Sequence, residues 1–173
     1  MPAVSNSGPL ILFARIGRLG LIRTVFAEVF IPPAVRSEVV GQGEGRPGAA
    51  EVAAASWITT QDVGGSEVEP SLLAALDRGE AEAIVLAERL GSQMPLLLDD
   101  RRGRRIARDR GLRVVGSAGL LVLAKQRGAI PLIRATLDRL RLAGLYLDDG
   151  AYREVLAIAD EVPAGTEAEE DGP

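Results

Sequence analysis

The sequence contains no cysteine and no histidine. Their absence excludes disulfide bonds, thiolate nucleophiles, Cys/His zinc sites, serine–histidine triads and acid–base catalysis by histidine. Aromatic residues make up only 3% of the chain, so few rings are available for stacking against a ligand. No apolar run reaches the roughly 18 residues that a membrane span needs, and residues 1–16 lack the pattern of a secretory signal. We therefore expect a soluble, cytoplasmic protein.

The side chains that remain for polar chemistry act mainly through oxygen. Carboxylates are hard ligands that suit Mg²⁺ or Mn²⁺, so any catalysis is expected to depend on Asp, Glu and a hard cation. The length of 173 residues and the hydrophobic content of 47% fit one folded unit. We predict one domain over residues 1–162 and a disordered acidic tail over residues 163–173, where large apolar groups are lacking.

The net charge of −4 is unevenly distributed along the chain. Residues 161–173 carry five acidic residues and no basic one, which leaves 19 of the 24 acidic residues against 20 basic ones elsewhere. Seven arginines lie within residues 101–113. Such a cluster can attract phosphate groups even when the net charge is negative.

Short apolar segments alternate with stretches of helical periodicity. This alternation predicts the α/β class, with a parallel sheet of four to five strands between helices. The predicted strands are residues 3–5, 29–31, 57–60, 95–98 and 113–115. The glycine-rich residues 41–48 lack the lysine of a phosphate-binding loop and are interpreted as a flexible connection.

Several helix starts follow from the same pattern. Ser7 or Gly8 is predicted to cap the first helix, and Ser117 a later one. Residues 34–40 are predicted to form a short helix with Glu38 on its exposed side, and the residues between the third strand and Asp77 a polar linker.

Acidic and amide side chains follow the predicted strands or lie on helices that begin at the same sheet edge. The candidates are Asn6, Glu38, Glu80, Glu82, Asp99 and Asp100. Open α/β sheets place their ligands at the carboxyl ends of the strands. Several carboxylates that converge there would repel one another unless a cation lay between them, which predicts a divalent metal site.

Each candidate taken alone also has a purely structural interpretation. Asp99 and Asp100 fit a helix N-cap, Glu80 and Glu82 fit solvated acids of a first helical turn, and Glu38 fits a surface charge. Asn6 fits a turn or cap residue, and the arginine cluster fits a solvated helix face. The order of the segments along the chain favours one common site over these separate structural interpretations.

That order resembles the PIN-domain family, in particular short prokaryotic PIN-like proteins of the kind encoded beside antitoxin-like partners. The resemblance extends over about residues 3–160. It is carried by residues 4–11 (Val-Ser-Asn-Ser-Gly-Pro-Leu-Ile), 31–39 (Ile-Pro-Pro-Ala-Val-Arg-Ser-Glu-Val), 77–84 (Asp-Arg-Gly-Glu-Ala-Glu-Ala-Ile), 96–107 (Leu-Leu-Leu-Asp-Asp-Arg-Arg-Gly-Arg-Arg-Ile-Ala), 114–120 (Val-Val-Gly-Ser-Ala-Gly-Leu) and 123–128 (Leu-Ala-Lys-Gln-Arg-Gly).

The resemblance implies a three-layer α/β/α fold, a Mg²⁺ or Mn²⁺ site and cleavage of single-stranded RNA as the toxin of a toxin–antitoxin pair. It also implies a small antitoxin partner and a homodimer. Matched to the family's site in chain order are Asn6, Glu38, either Glu80 or Glu82, and Asp100, with Asp99 as a neighbour and Ser7 as a supporting hydroxyl. Arg101, Arg102, Arg104 and Arg105 follow the acids and are expected to steer the RNA backbone.

Asn6 departs from the family pattern, which has aspartate at this position. An amide still offers a carbonyl oxygen to a metal, but the missing charge weakens cation binding. Asn6 therefore favours an alternative in which the chain is a PIN-like scaffold that binds RNA or protein without cutting. A phosphoryl-transfer receiver domain is a third interpretation, disfavoured because its acid pair should follow the first strand.

Overall fold

The computed structural model describes residues 1–41, 48–63, 68–91 and 93–161. Five strands form one sheet: Ala3–Ser5 (β1), Val29–Ile31 (β2), Ile58–Thr60 (β3), Leu96–Leu97 (β4) and Val114–Val115 (β5). All four strand pairings are parallel, and the order across the sheet is β3-β2-β1-β4-β5. The predicted α/β class with a parallel sheet of four to five strands is confirmed.

Helices follow or connect these strands throughout the described ranges. They are Ser7–Arg15 (α1), Gly20–Val25 (α2), Pro33–Arg36 (α3), Ala49–Ala54 (α4), Pro70–Ala75 (α5), Arg78–Leu90 (α6), Arg101–Asp109 (α7), Ser117–Gln126 (α8), Arg134–Leu142 (α9) and Asp149–Ile158 (α10). Among them, no helix combines the length and the apolar character needed to cross a bilayer.

A separate hydrophobic cluster covers each face of the sheet. Successive residues of β1 divide between them, because Ala3 belongs to one cluster and Val4 to the other. Side chains alternate between the two faces of a strand, so a strand that is buried throughout needs a core on both sides. The sheet is thus the middle of three layers, as the sequence predicts.

Some local predictions are corrected by the structure. Asn6, and neither Ser7 nor Gly8, is the N-cap of α1, and α8 begins at Ser117 with Gly116 as its N-cap. Residues 34–40 do not form one regular helix, because α3 ends at Arg36 and a π-helical turn, Ser37–Gly41, follows.

The segment predicted as a polar linker contains α5, which begins at Pro70 and buries Leu72 against the core. Proline is favoured at the first helical position. Val63, Val68 and Leu76 of the same segment are buried in the same cluster as Leu72, so apolar side chains anchor a segment whose composition is otherwise polar. The glycine-rich connection falls mostly at residues 42–47, and the predicted disordered tail falls at residues 163–173. Both lie outside the described residues.

Glu161, the last described residue and the first acid of the acidic stretch 161–173, is buried. Its carboxylate accepts hydrogen bonds from the backbone N–H groups of Ile133 (2.7 Å) and Arg134 (3.0 Å), at the start of α9. Lys125 Nζ on α8 donates a third, at 3.0 Å. Glu161 therefore joins the segment that follows α10 to α8 and α9.

Candidate metal centre

The reversal of strand order in the sheet places Asn6 close to the end of β4. After β1 the chain moves outward to β2 and β3, and it then returns to the other side of β1 with β4. Asn6 directly follows β1, and its backbone N–H donates to the carbonyl oxygen of Leu97 at 3.0 Å. The crevice at such a switch point is the usual ligand site of an open α/β sheet, and Asp99 and Asp100 lie at its other side.

The Asn6 carboxamide has a fixed orientation. Its Oδ1 accepts hydrogen bonds from Ser7 N (2.7 Å) and Ser7 Oγ (3.3 Å), and the side chain is only 5% exposed. Ser7 therefore orients Asn6. The oxygen that caps α1 also lies near Gly79, in the contacts described next.

Four of the six candidate residues bring oxygens to the sheet edge in two pairs, and each pair faces a glycine. A Cβ built on Gly79 would lie 3.2 Å from Glu38 Oε2 and 3.4 Å from Asn6 Oδ1. A Cβ built on Gly103 would lie 3.5 Å from Asp100 Oδ1 and 3.6 Å from Glu80 Oε1. The space at each glycine is tight, because Val35 Cγ2 (3.3 Å) and Leu98 Cδ2 (3.0 Å), respectively, also lie close to the two built Cβ positions.

Glu80 is the buried carboxylate of this group. Burial first, and then the charges of Asp77, Asp100 and Glu38, together raise the pKa of its carboxyl to about 7, against a backbone hydrogen bond at Asp77 that lowers it. A carboxyl group among other carboxylates in a poorly hydrated place holds its proton tightly. The edge therefore concentrates negative charge that a cation would relieve.

Glu82 lies two residues from Glu80 on α6 but takes no part in the two oxygen pairs. Its Oε2 accepts from Ala34 N at 3.0 Å, and its Oε1 accepts from Arg78 Nε at 2.7 Å. Glu82 thus fastens the start of α3 to α6. Of the two glutamates between which the sequence could not choose, the structure brings Glu80 to Asp100 and gives Glu82 this structural contact.

Asp99 also has a structural contact, with the first residue of α8. Its carboxylate accepts from Ser117 N (2.7 Å) and Ser117 Oγ (2.5 Å), at the beginning of α8. Burial raises the pKa of Asp99, while the two Ser117 hydrogen bonds and the charge of Arg104 oppose the rise. Asp99 positions α8 beside the site, whereas the neighbouring Asp100 caps α7 through Gly103 N and remains exposed.

Asp77 contributes to the site's charge although the sequence treated it only as a helix start. It is the N-cap of α6, and its Oδ1 accepts from Glu80 N at 2.7 Å. The Asp-x-x-Glu spacing is a capping-box pattern, and this spacing was the available signal. A cap that bonds the backbone of Glu80 necessarily brings a second carboxylate close to it.

An open cleft of about 700 Å³ extends from these acids along α7. Glu38, Asp99 and Asp100 lie in its lining, and so do four arginines: Arg15, Arg101, Arg104 and Arg108. Arg102 and Arg105, which were also expected to steer the RNA, do not line this cleft, and their role stays a prediction. Residues 101, 104 and 108 recur at helical spacing and share one face of α7, whereas 102 and 105 lie on another.

A second cavity of about 390 Å³ opens on the other side of Glu38. It is lined by Ala34, Ser37, Glu38, Asp77, Arg78 and Gly79. Glu38 thus borders both cavities. The acids lie between two open spaces and not at the bottom of one closed pocket.

The resemblance to a known family was tested by comparison against family models. A family model described as a PIN domain matches residues 2–161. The chain belongs to the PIN-domain family. Comparison with curated proteins and with solved structures gave no significant match. PIN domains are generally nucleases, so the receiver interpretation is set aside and the chain has a nuclease-type fold.

PIN domains typically use divalent metals, and the donor set of this PIN domain suits one. The edge offers hard oxygen donors, and the raised pKa of Glu80 reports uncompensated negative charge. Within the described ranges, however, no three carboxylates form a ready-made ligand set around one ion. Metal binding would therefore require the two oxygen pairs to draw together; Asp100 is exposed but caps α7 through Gly103 N, and Glu38 is half-buried.

Proposed function

We propose that this PIN domain is a Mg²⁺- or Mn²⁺-dependent endoribonuclease that hydrolyses single-stranded RNA. One observation carries the proposal: a buried glutamate, Glu80, lies among Asp77, Asp100 and Glu38 at the switch point of the sheet, with its pKa raised to about 7. Such crowding destabilises the protein unless the charge is used to hold a cation. The family supports the nuclease class.

The proposed ligands are Asp100, Glu80 and Glu38, with the Asn6 carbonyl oxygen as a neutral fourth donor. A bound ion supplies a Lewis acid that activates water and offsets charge on the attacked phosphodiester. Ser7 keeps the Asn6 oxygen oriented, Glu82 holds α3 against α6, and Asp99 fixes the start of α8. These three residues position the site and do not act as ligands.

The arginines of the cleft are proposed to bind the RNA backbone. Arg101, Arg104 and Arg108 form no ion pair with a carboxylate of the described residues, whereas Arg110 of the same stretch is paired with Glu88 at 2.6 Å. Burial lowers the pKa of Arg104, and the nearby charge of Arg108 lowers it further against the charge of Asp99. Unpaired guanidinium groups in a cleft attract phosphate.

The two cavities on either side of Glu38 support cleavage within a strand. An RNA that passes over the acids can continue in both directions, whereas an exonuclease needs a site that ends at the strand terminus. A circular single-stranded RNA separates the two modes, because it has no terminus. We expect circular RNA to be cut in Mn²⁺.

Asp100→Asn tests the proposal directly. The amide keeps the oxygen that accepts from Gly103 N, so the cap of α7 and the fold should survive while one ligand charge is lost. Asp109→Asn, at the exposed end of the same helix, is the matched control. We expect cleavage of circular RNA to disappear in Asp100→Asn and to persist in Asp109→Asn. Cleavage by Asp100→Asn at the wild-type rate would remove Asp100 from the site.

The cellular role proposed with this activity is that of a cytoplasmic toxin, paired with a small antitoxin and acting as a homodimer. Its support is the resemblance of the six sequence segments to short prokaryotic PIN proteins encoded beside such partners. A short reading frame beside the gene, and recovery of its product with this chain after co-expression, is the expected result. Failure of the two chains to copurify would contradict the toxin role.

A non-cutting scaffold is the second candidate, and Asn6 is the observation that favours it. The amide replaces a carboxylate at the position that the family fills with aspartate, and the remaining acids do not form a preset ligand trio in the described chain. Calorimetric titration with Mn²⁺ distinguishes the candidates. The absence of binding at millimolar metal would favour the scaffold, and binding lost in Asp100→Asn would favour the nuclease.

A further inference from the structure

We propose that Tyr146 is a stacking platform for one nucleobase of the RNA strand bound in the arginine-lined cleft. The inference rests on the proposed function and adds a base-binding subsite to it. Tyr146 lines the same cleft as Asp100 and the arginines, and 84% of its surface is exposed.

Tyr146 differs from every other aromatic residue of the chain. Phe13 and Phe26 are fully buried, and Phe30 and Trp57 pack against the two hydrophobic clusters. Tyr152 also packs there, with its ring 4.8 Å from the Arg141 guanidinium and its hydroxyl donating to Asp138 at 2.7 Å. All six aromatic residues lie in the described ranges, and Tyr146 is the one among them that is largely exposed while the other five are buried or half-buried.

The backbone on both sides of Tyr146 is held in place. Leu145 is buried, and its N–H donates to Leu140 O at 2.9 Å. Asp148 caps α10 by accepting from Ala151 N at 2.8 Å. A ring carried by an anchored segment loses little conformational freedom on binding, which favours stacking over a ring on a mobile loop.

The charges around Tyr146 favour a nucleic acid over an apolar partner. Arg15, Arg101, Arg104 and Arg108 line the cleft without an ion pair to any described carboxylate, and Arg104 Nε is buried there with no hydrogen-bond partner. Exposed rings beside unpaired cations are the usual components of single-strand binding grooves. Leu142 is 89% exposed but lies outside the cleft lining, so the apolar surface does not continue from it into the groove.

The experiment measures the affinity of full-length protein for two short, labelled single-stranded RNAs in EDTA, where metal-dependent cleavage is blocked. One RNA carries normal bases, and the other has the same length but lacks the base at every position. Tyr146→Ala should weaken binding of the normal RNA about tenfold, because the loss of one base stack is worth on the order of that factor. Tyr146→Phe should restore it, since phenylalanine keeps the ring.

The abasic RNA and a matched variant make the result specific. The affinity for fully abasic RNA should be the same in wild type and in Tyr146→Ala, because no base remains to stack. Leu142→Ala removes an equally exposed apolar side chain outside the cleft and should leave both affinities unchanged. With Mn²⁺ present, Tyr146→Ala should raise KM and leave kcat unaltered.

The opposing outcomes are distinct. If wild type and Tyr146→Ala bind normal RNA equally well, the stacking proposal is overturned while the nuclease proposal stands. If the wild-type protein binds no RNA, both proposals fall. If Tyr146→Ala changes the sedimentation behaviour of the protein but not its affinity for RNA, the ring belongs to a protein contact and the stacking proposal is again overturned.

Discussion

Glu80 and Glu161 are equally buried, each with 7% of its surface exposed, yet their surroundings are opposite. Glu161 is surrounded by donors: two backbone N–H groups at the start of α9 and the ammonium of Lys125. Burial alone raises the pKa of Glu161, but these hydrogen bonds outweigh burial and hold the pKa below its ordinary value. Glu80 is surrounded by acids, and its pKa rises to about 7.

The difference in neighbours, donors in one case and acids in the other, indicates two kinds of buried carboxylate: Glu161 stabilises the fold, whereas Glu80 makes a cation-binding edge. The charge of Glu161 is fully used within the chain, so its contribution to folding needs nothing else. The negative charge of the ionised Glu80 carboxylate opposes folding unless a cation binds beside it. Four substitutions, ordered by expected effect, test whether the two regions differ in this way.

Glu161→Ala should have the largest effect, because it leaves the N–H groups of Ile133 and Arg134 and the Lys125 ammonium without their acceptor. We expect a loss of about 3 kcal/mol in the free energy of unfolding, which is on the order of 10 °C in Tm for a chain of this size. Chemical denaturation and thermal melts measure it. Glu154→Ala, on the exposed side of α10, is the control and should change little.

The stabilisation by Glu161 should also depend on pH with a definite sign. Because the folded-state pKa is lowered, the contribution is complete above the ordinary pKa of a glutamate and disappears as the pH falls through the folded-state value. The gap between wild type and Glu161→Ala should therefore narrow in acid. A gap that is constant down to pH 2 would contradict the role of the carboxylate charge.

Glu80→Gln should act in the opposite direction and stabilise the metal-free protein. The folded-state pKa of about 7 lies above the usual 4.5, so ionisation of Glu80 opposes folding as the pH rises between these values, and above pH 7 the penalty is complete. We expect a gain of roughly 2–3 kcal/mol at pH 8 and almost none at pH 4.

Unfolding by urea at both pH values, without metal, provides the measurement for Glu80. Glu51→Gln removes an exposed carboxylate from α4 and serves as control. Adding Mn²⁺ should stabilise the wild type more than Glu80→Gln. A variant with the same pH dependence as wild type would show that Glu80 is not crowded by its acidic neighbours.

Asn6→Asp should increase the difference between the Glu80 and Glu161 regions, because it adds a negative charge to the sheet edge at which Glu80 lies. Aspartate can still accept from Ser7 N, so the cap of α1 is kept, and the added repulsion should lower metal-free stability by about 1 kcal/mol at pH 8. Mn²⁺ should then raise Tm more than in wild type. Gln126→Glu adds a charge at the exposed end of α8 as control. An unchanged metal response in Asn6→Asp would place Asn6 outside the metal shell.

Arg104→Met should have the smallest effect on stability, within about 0.5 kcal/mol and in the stabilising direction if any. The guanidinium is half-buried with an unpaired Nε, and methionine of similar length fills the space without that penalty. Affinity for RNA should fall, and the slope of log affinity against log salt should decrease by about one. Arg105→Met, outside the cleft, should change neither quantity. An equal loss of affinity in both variants would contradict the assignment of the cleft.

The sheet and the residues at its edge could be predicted because they depend on local pattern. Apolar runs ended by Asn6 and by Asp99 and Asp100 indicate strand ends, and parallel strands bring those ends to one edge. The choice between Glu80 and Glu82 could not be made in this way. It depends on where Ala34 N lies, and that is decided by how α3 packs against α6.

Two other features could not be predicted, for different reasons. The prediction took the arginines next to the acids in sequence, whereas helical periodicity places residues 101, 104 and 108 on one face of α7. The burial of Glu161, inside the predicted domain, could not be read from composition, because composition describes a segment and not a single side chain. Its donors, at the start of α9 and on Lys125, lie about thirty residues away, and only the tertiary fold brings them together.

The two glycines that face the oxygen pairs suggest how a related protein could lose catalytic activity without losing an acidic residue. Gly79 and Gly103 both lie in the first turn of a helix, where alanine would favour the helix by roughly 0.5–1 kcal/mol. A single methyl group at position 79, however, would lie 3.2 Å from Glu38 Oε2 and 3.4 Å from Asn6 Oδ1, so these two oxygens would have to move away from the glycine. A relative could thus keep every acidic residue and still lose the arrangement of its oxygens, and a sequence survey that counts carboxylates would miss the change.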